Sequence, residues 1–430
     1  MSDPVDAGTV SVLGDHAVSL STDAADWDLG PVAEELADST VVGMGEATHG
    51  THEFFRLKAD LFRRLVDEHG VRLFGLEANY SETLAVDRYV RGADDAPDDA
   101  ADALAATYFW PWYVTELAEL VEWMREFNAD RPRADQVRFV GFDAQYAVGG
   151  ADALQRFLAD ADTTLLDEHR ETLETLGDWG LDTDDDDDLF DSRIAAARTF
   201  LDALDDALDD RRSDYADATS DARVARAELH RERMAEAVEF RATASEVEML
   251  ERRDRAMAEG VTRLLEASDH DRMALWAHNA HVQRVPYDFE GTPTRTMGQH
   301  LADRFGDDYA ALGFSFARGS YQAMAQDDDG QYGLRDCPVG DASGGTVGAT
   351  LGRLDGSPLF LDVRASADDD RLQAFLREER PLRQPGGMYD PEEEYESTIV
   401  LADAFDALVH VDESTRAVPL GPPTEIDNWG

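Results

Sequence analysis

The chain has 430 residues, roughly three times the usual length of one domain, so a large domain with an insertion, or two domains, is expected. Its 39 Lys and Arg stand against 92 Asp and Glu, a formal net charge of −53, which excludes an electrostatic binder of nucleic acid or of anionic membrane. With 43% hydrophobic residues and 9% aromatics the chain is too apolar for a disordered acidic protein, and any partner must be neutral, cationic or a counter-ion.

Lys58 is the only lysine, and every other basic residue apart from histidine is arginine. An Asp-rich, Lys-poor globular chain resembles proteins adapted to molar salt, where a Debye length of ~3 Å makes such self-repulsion tolerable. One cysteine, Cys337, excludes a disulfide framework and a Cys-based zinc site. With no basic partner near it in sequence, it reads as a packing thiol. The N-terminus has neither a basic region nor an apolar stretch of signal-peptide type, and no run approaches 18 apolar residues; a soluble, cytoplasmic protein is expected.

Along the chain, short apolar runs bounded by Gly or charge occur at Thr40–Gly45, Val71–Leu76, Val137–Phe142, Arg272–Ala277, Tyr309–Phe314 and Pro358–Val363. Continuous apolarity predicts strands buried on both faces, as in a parallel sheet. Between the first two, Phe55, Leu57, Leu61, Phe62, Leu65 and Val66 keep a helical period across His52–Glu68, giving a strand, helix, strand unit. Ser81–Asn128 reads as mostly helical, and Asp191–Glu266, almost free of Gly and Pro, as two long antiparallel helices. The acidic run Leu181–Leu189 reads as a solvated loop and Gln326–Gly333 as an acidic turn, because Ala325 breaks the ligand spacing of a calcium loop. The Gly-rich Val339–Gly352 lacks both phosphate-loop patterns and reads as a flexible loop.

The predicted fold is therefore α/β, a mostly parallel sheet core flanked by helices with an inserted helical subdomain. Residues 1–150 and 269–430 form the two parts of the core, and 151–268 the insertion. The tail from Pro419 carries no signal for or against order.

The chemistry lies at the carboxyl ends of the predicted strands. Glu46 and His49 come after the first, Glu77 after the second, Asp143 after the third, and His278, Asn279 and His281 after the fourth. In a parallel sheet these positions open on one edge, where α/β sheets hold their sites. The other histidines read as surface or packing: His69 at a helix end, His16, His169, His230, His270 and His300 in charged contexts, His410 in an apolar run. His49 and His52 lie at a strand-to-helix turn, where the positive helix end keeps an imidazole neutral, as a general base requires. Glu46, three residues earlier, can accept from one ring nitrogen of His49, fix the tautomer and stabilise the charge gained on proton abstraction. With Thr51 or Thr48 as helix cap, His52 is an exposed first-turn residue.

The segments GEATHGTHEFFRLKADLFRRLVDEHGVRLFGLEANYSE (45–82), RRDRAMAEGVTRLL (252–265), WAHNAHV (276–282) and TMGQHLADRFGDDYAALGFSFARGSY (296–321) resemble, in this order, the erythromycin esterase family. The resemblance covers about 41–316, and GEATHG and HNAH are specific only in combination. It implies hydrolysis of an ester or lactone, in some members a macrolide lactone whose cleavage gives antibiotic resistance, by a His-activated water with no obligatory cofactor or metal. It also implies an α/β core with a helical subdomain framing a deep cleft. On matching positions, His49 is the general base and Glu46 its orienting carboxylate; Glu77, His278 and His281 complete the cleft by binding water or stabilising the oxyanion. Arg56 is the nearest cation for that oxyanion, and Arg253 and Asp254 are supporting residues. The alternative is a metal-dependent hydrolase holding its ion with Glu46, His49, Glu77, His278 and His281, although HxxH occurs here without HExxH. A serine hydrolase is disfavoured because Gly313–Ala317 fails GxSxG at its last position. The expected partner is a small-molecule ester or lactone; the natural ester and the oligomeric state are not encoded in any motif.

Overall fold

The structure, a computed structural model, describes residues 4–22, 27–181, 187–327, 330–364, 369–393 and 395–421. Most of the Asp-rich run at 182–186, two residues of the acidic turn at 328–329, and the tail from 422 lie outside the described residues. No described helix is long and apolar enough to cross a membrane.

Two compact units are present: one formed by residues 1–77, 85–139 and 265–430, the other by 78–84 and 140–264. The strands are β1 (Val18–Ser19), β2 (Val41–Met44), β3 (Leu73–Asn79), β4 (Arg138–Asp143), β5 (Met273–Trp276), β6 (Tyr287–Phe289), β7 (Thr292–Thr294), β8 (Tyr309–Gln326), β9 (Tyr332–Val339), β10 (Leu359–Asp362), β11 (Glu379–Arg383), β12 (Glu396–Val400) and β13 (Ala407–Ser414). The main sheet has the order β1-β10-β13-β8-β2-β5-β3-β4, with β9 paired to the far part of β8. β13, β8, β2, β5 and β3 run parallel, and β2, β3 and β5 are buried along their whole length, which explains the unbroken apolar sequences of β2, β5 and the first half of β3; β3 runs two residues beyond Glu77, which the sequence reading places after the strand.

The sheet departs from the sequence reading at β10, at β8 with β9, at β13, and at the two-residue β1, which was not expected. β10, expected in the parallel core, pairs antiparallel with both β13 and β1. A four-residue buried run has the same composition in either direction, so its sequence cannot report its orientation. β8 continues past Phe314 to Gln326 and folds back as β9, an antiparallel hairpin. β13 was not among the expected strands at all.

In the first unit the helix His52–His69 packs on the sheet through Phe54, Phe55, Leu61, Phe62 and Leu65, all buried. Burial of each such side chain contributes about 1.5–3 kcal/mol. Between Ser81 and Asn128 the helices are Tyr80–Val90, Ala100–Ala105 and Thr115–Asn128, with a short 3-10 turn at Trp110–Trp112.

The second unit is mostly helical: Val148–Ala161, Thr163–Gly177, Asp187–Ala218, Asp221–Arg241 and the body of Glu246–Glu266. Where two long helices were expected after Asp191 the chain is broken more often: Asp187–Ala218 kinks at Arg211, Ser220 caps a new helix by accepting from the Arg223 N–H, and the chain breaks again before Glu246. Its core is an apolar cluster including Leu154, Leu158, Phe200, Leu204 and Val238. His230, read from sequence as a surface residue, is buried here with its Nδ1 2.8 Å from Ser81 Oγ. Desolvation lowers its pKa to about 3, so the ring is neutral.

Candidate active site

Strand register builds the site. Met44 of β2 and Leu76 of β3 each stand opposite Trp276 of β5, so Glu46 and His278, just past their strands, and Glu77, still within β3, come together at the carboxyl edge of the sheet. All of these residues belong to the first unit. The turn after β2 is tight. A Cβ on Gly45 would lie 2.3 Å from Asn279 Oδ1, and one on Gly50 2.2 Å from the Gln322 carbonyl oxygen. Asn279 ties the turn to β8, donating to the Phe314 carbonyl at 2.8 Å and accepting from the Phe314 N–H at 3.1 Å.

Glu46 is fully buried and meets three donors. His49 Nδ1 is 2.8 Å from Oε1, Trp276 Nε1 donates to Oε2 at 2.9 Å, and the Lys58 ammonium pairs with the same Oε2. A carboxylate only accepts, so the proton on a neutral His49 sits on Nδ1 and Nε2 carries the lone pair. His49 stands three residues before the helix start at His52, and its side chain keeps 14% of its surface exposed, whereas Glu46 and Lys58 have none.

Lys58 was not among the candidates read from sequence. Its ammonium lies 4.0 Å from the centroid of a Trp276 ring, and burial lowers its pKa to about 8 against the opposing pull of Glu46 and Glu77. The signal was present. Lys58 falls on the helix face of Phe54, Phe55, Leu61, Phe62 and Leu65, at helical spacing from each, so a charge there points into the core. Arg56 lies off that stripe. It is 39% exposed and 3.4 Å from Glu119, and the structure does not bring it into the hydrogen-bonded cluster.

Glu77 forms the second half of the site. Its Oε2 accepts from the His278 N–H at 2.9 Å and its Oε1 lies 3.3 Å from His281 Nε2, while its carbonyl accepts from Trp112 Nε1 at 2.9 Å. His281 is 12% exposed. His278 is different: its Nε2 donates to the Ala47 carbonyl at 3.2 Å and its Nδ1 accepts from the Ala280 N–H at 3.2 Å, so both nitrogens are used by backbone. Burial, then the neighbouring His49 and His281, holds its pKa well below the ordinary histidine value. A neutral, doubly bonded ring fixes the HNAH turn and has no nitrogen left for water or oxyanion. The rings of His49 and His278 stand 5.1 Å apart, and Trp112 meets His49 edge-on at 6.0 Å.

His52 is not a simple exposed first-turn residue. Its Nδ1 is 2.5 Å from Glu116 Oε1, an interaction that raises its pKa, and Glu116 also accepts from the Val418 N–H. Thr48 and Thr51 bond each other at 2.6 Å, and Thr51 makes no capping bond through its side chain. Asp143 lies in the second unit, where Arg253 clamps it with the nearest nitrogen at 2.7 Å and Gln145 donates to it at 2.7 Å. Among the described residues no group of three or more His, Cys, Asp or Glu side chains is placed to hold a metal ion. The carboxylate oxygens of Glu46 face protein donors.

The family model for erythromycin esterase matches residues 66–414, a stretch that contains Glu77, His278 and His281 and begins after Glu46, His49 and Lys58. The chain is similar to erythromycin esterase type II of Escherichia coli, 23% identical over 327 residues, which is 72% of this chain and 76% of that protein. Its fold is similar to that of a Bacillus cereus protein, with TM-score 0.79 and 23% identity over 97% of this chain and 100% of the other. A succinoglycan biosynthesis protein gives TM-score 0.77 and 20% identity over 96% and 98% of the two chains. An erythromycin esterase variant in its open conformation gives 0.67 and 18% over 94% and 100%. At these identities the structural likeness speaks for the fold.

Proposed function

Because the chain belongs to the erythromycin esterase family and is a carboxylic ester hydrolase, we propose that it cleaves its ester or lactone with a water activated by His49. The observation that carries the reading is the Glu46 carboxylate, sealed from solvent and bonded to His49 Nδ1, with Lys58 and Trp276 on its other oxygen. This arrangement fixes the ring and leaves Nε2 to take a proton.

In the proposed reaction, Nε2 removes a proton from water as its oxygen attacks the carbonyl carbon. Glu46 then faces an imidazolium, and the negative charge passes to the carbonyl oxygen. Collapse of the tetrahedral intermediate breaks the bond to the alkoxy oxygen, which receives the proton from His49, releasing a carboxylic acid and an alcohol. His281 joins His49 in this cluster in reaching solvent; with its Nε2–H held by Glu77, it can polarise the carbonyl oxygen only as an imidazolium, through Nδ1–H, a form that the Glu77 carboxylate supports. His278, Asn279 and Trp112 hold the frame.

The name of the Escherichia coli relative makes a macrolide lactone the first substrate to assay, beside simple lactones and esters. In this reading His49→Ala lowers ester turnover by at least ~10²-fold, the usual size of a general-base contribution. A folded His49→Ala protein with wild-type turnover would reject it.

A further inference from the structure

A cavity lies apart from the residues of the proposed reaction. It is a concavity of about 500 Å³, open to solvent on one side, between the β8–β9 hairpin and the strap of residues 386–393 with Tyr395; its lining lies entirely within the first unit, and its size suits a small molecule. Its wall is formed chiefly by Ala325, Cys337, Tyr332, Met388, Tyr389 and Tyr395. Five large apolar side chains are exposed among the described residues, and two of them, Tyr332 at 58% and Met388 at 55%, belong to this wall. Apolar groups left in water around a concavity mark a binding mouth.

Several polar groups of the wall are already engaged, while the Tyr332 hydroxyl and the Gln326 amide stand at its exposed side. Arg335 donates to Asp327 at 2.9 Å and to the Ala325 carbonyl at 3.2 Å. The Tyr389 hydroxyl donates to the Pro338 carbonyl at 3.1 Å, and the Tyr395 hydroxyl accepts from the Asp390 N–H at 2.5 Å. Burial pushes the Cys337 thiol up to about 11, so it is uncharged near neutrality. The lining offers mainly ring faces and a thioether, with the neutral Tyr332 hydroxyl and Gln326 amide, and the carboxylates of Asp336 and Asp390 repel an anion.

The strap joins this cavity to the base. Gly386 presents its carbonyl to the His49 N–H at 3.4 Å, and Gly387 packs against Trp110 and His49. Met388 and Tyr389 come directly after, and the strap is pinned to β8 by Met324, which donates to the Gly387 carbonyl and accepts from the Tyr389 N–H, each at 2.9 Å.

We propose that this cavity binds an uncharged aromatic or alicyclic ring carried by the ester substrate, so that Tyr332, Met388 and Tyr389 determine which esters are preferred. The inference rests on the esterase reading of His49, and its test separates the two. Hydrolysis of 2-naphthyl acetate is compared with that of methyl acetate in the wild type and in a Tyr332→Ser/Met388→Ser variant. The ratio of their kcat/KM values should fall by at least ~10-fold, the equivalent of about two buried methylenes, and recover in Tyr332→Phe/Met388→Leu; a ratio that stays within about twofold in the serine variant overturns the assignment. Both substituted residues are exposed, and a melting curve of each variant establishes that it is folded. Calorimetric titration with 2-naphthol reads the cavity without catalysis: saturable binding is expected in the wild type and in His49→Ala, and ~10-fold weaker binding in the serine variant. No saturable 2-naphthol binding by the wild type overturns the cavity assignment. Binding with hydrolysis of neither ester keeps the cavity and removes the esterase reading.

Discussion

Lys58 and Glu46 form an ion pair with both side chains wholly out of solvent, and Glu46 in turn holds His49 Nδ1. The chain's only lysine is therefore the counter-charge of the carboxylate that orients the base. Removing one partner of such a pair costs more than replacing both, because the survivor is a buried charge with nothing opposite it. Lys58→Met should lose about 3–5 kcal/mol of stability in chemical denaturation. Glu46→Gln/Lys58→Met should recover much of that loss without recovering turnover, and additive losses in this cycle would show that the two residues do not act as a pair.

The part played by Glu46 can be separated from its charge. Glu46→Gln retains an acceptor for His49 Nδ1 but cannot balance an imidazolium, so kcat should drop by about 10²-fold or more with a smaller change in KM. Steady-state kinetics on one simple ester decides it, and a rise in KM alone would assign Glu46 to substrate binding.

Turnover should survive removal of divalent ions. Protein dialysed against a chelator, with metal content measured before and after, should keep its full rate, as expected of a water activated by His49. A rate lost on dialysis and restored by one divalent ion would move the chemistry to a bound metal.

Glu82, in the second unit, accepts from the Gly149 N–H at 3.0 Å, and burial raises its pKa from 4.5 to about 7. The native state thus holds a proton that the unfolded chain has released, and this group's contribution to stability falls as pH rises from 4.5 to about 7. Glu82→Gln should therefore gain on the order of 2–3 kcal/mol relative to wild type at about pH 8 and almost nothing at about pH 4. Urea unfolding at the two pH values tests the sign; a gain confined to the acidic sample would refute it.

The net charge of −53 predicts a steep salt dependence. Raising KCl from about 0.1 M to about 3 M shrinks the Debye length from ~10 Å to less than ~3 Å and should raise the melting temperature markedly. A melting temperature indifferent to KCl would remove the case for adaptation to molar salt.

The core strands, and the polar residues at their ends, are legible in the chain without its fold. Parallel strands buried on both faces are rich in continuous apolar runs, so β2, β3 and β5 stand out, and Glu46, Glu77, His278 and His281 are marked by following those apolar runs, although Glu77 lies within β3. Helical period likewise puts Lys58 on the buried face and Arg56 off it. Other features exist only once the chain has folded. The antiparallel direction of β10 and the burial of His230 depend on distant packing that no local pattern encodes. Three residues of similar promise in sequence are sorted by their contacts. His49 keeps a nitrogen free, His278 gives both of its nitrogens to backbone, and Arg56 turns to Glu119. A side chain's type is written in the sequence, but the partners that use up its donors and acceptors come from elements far away along the chain, and those partners determine what chemistry it has left.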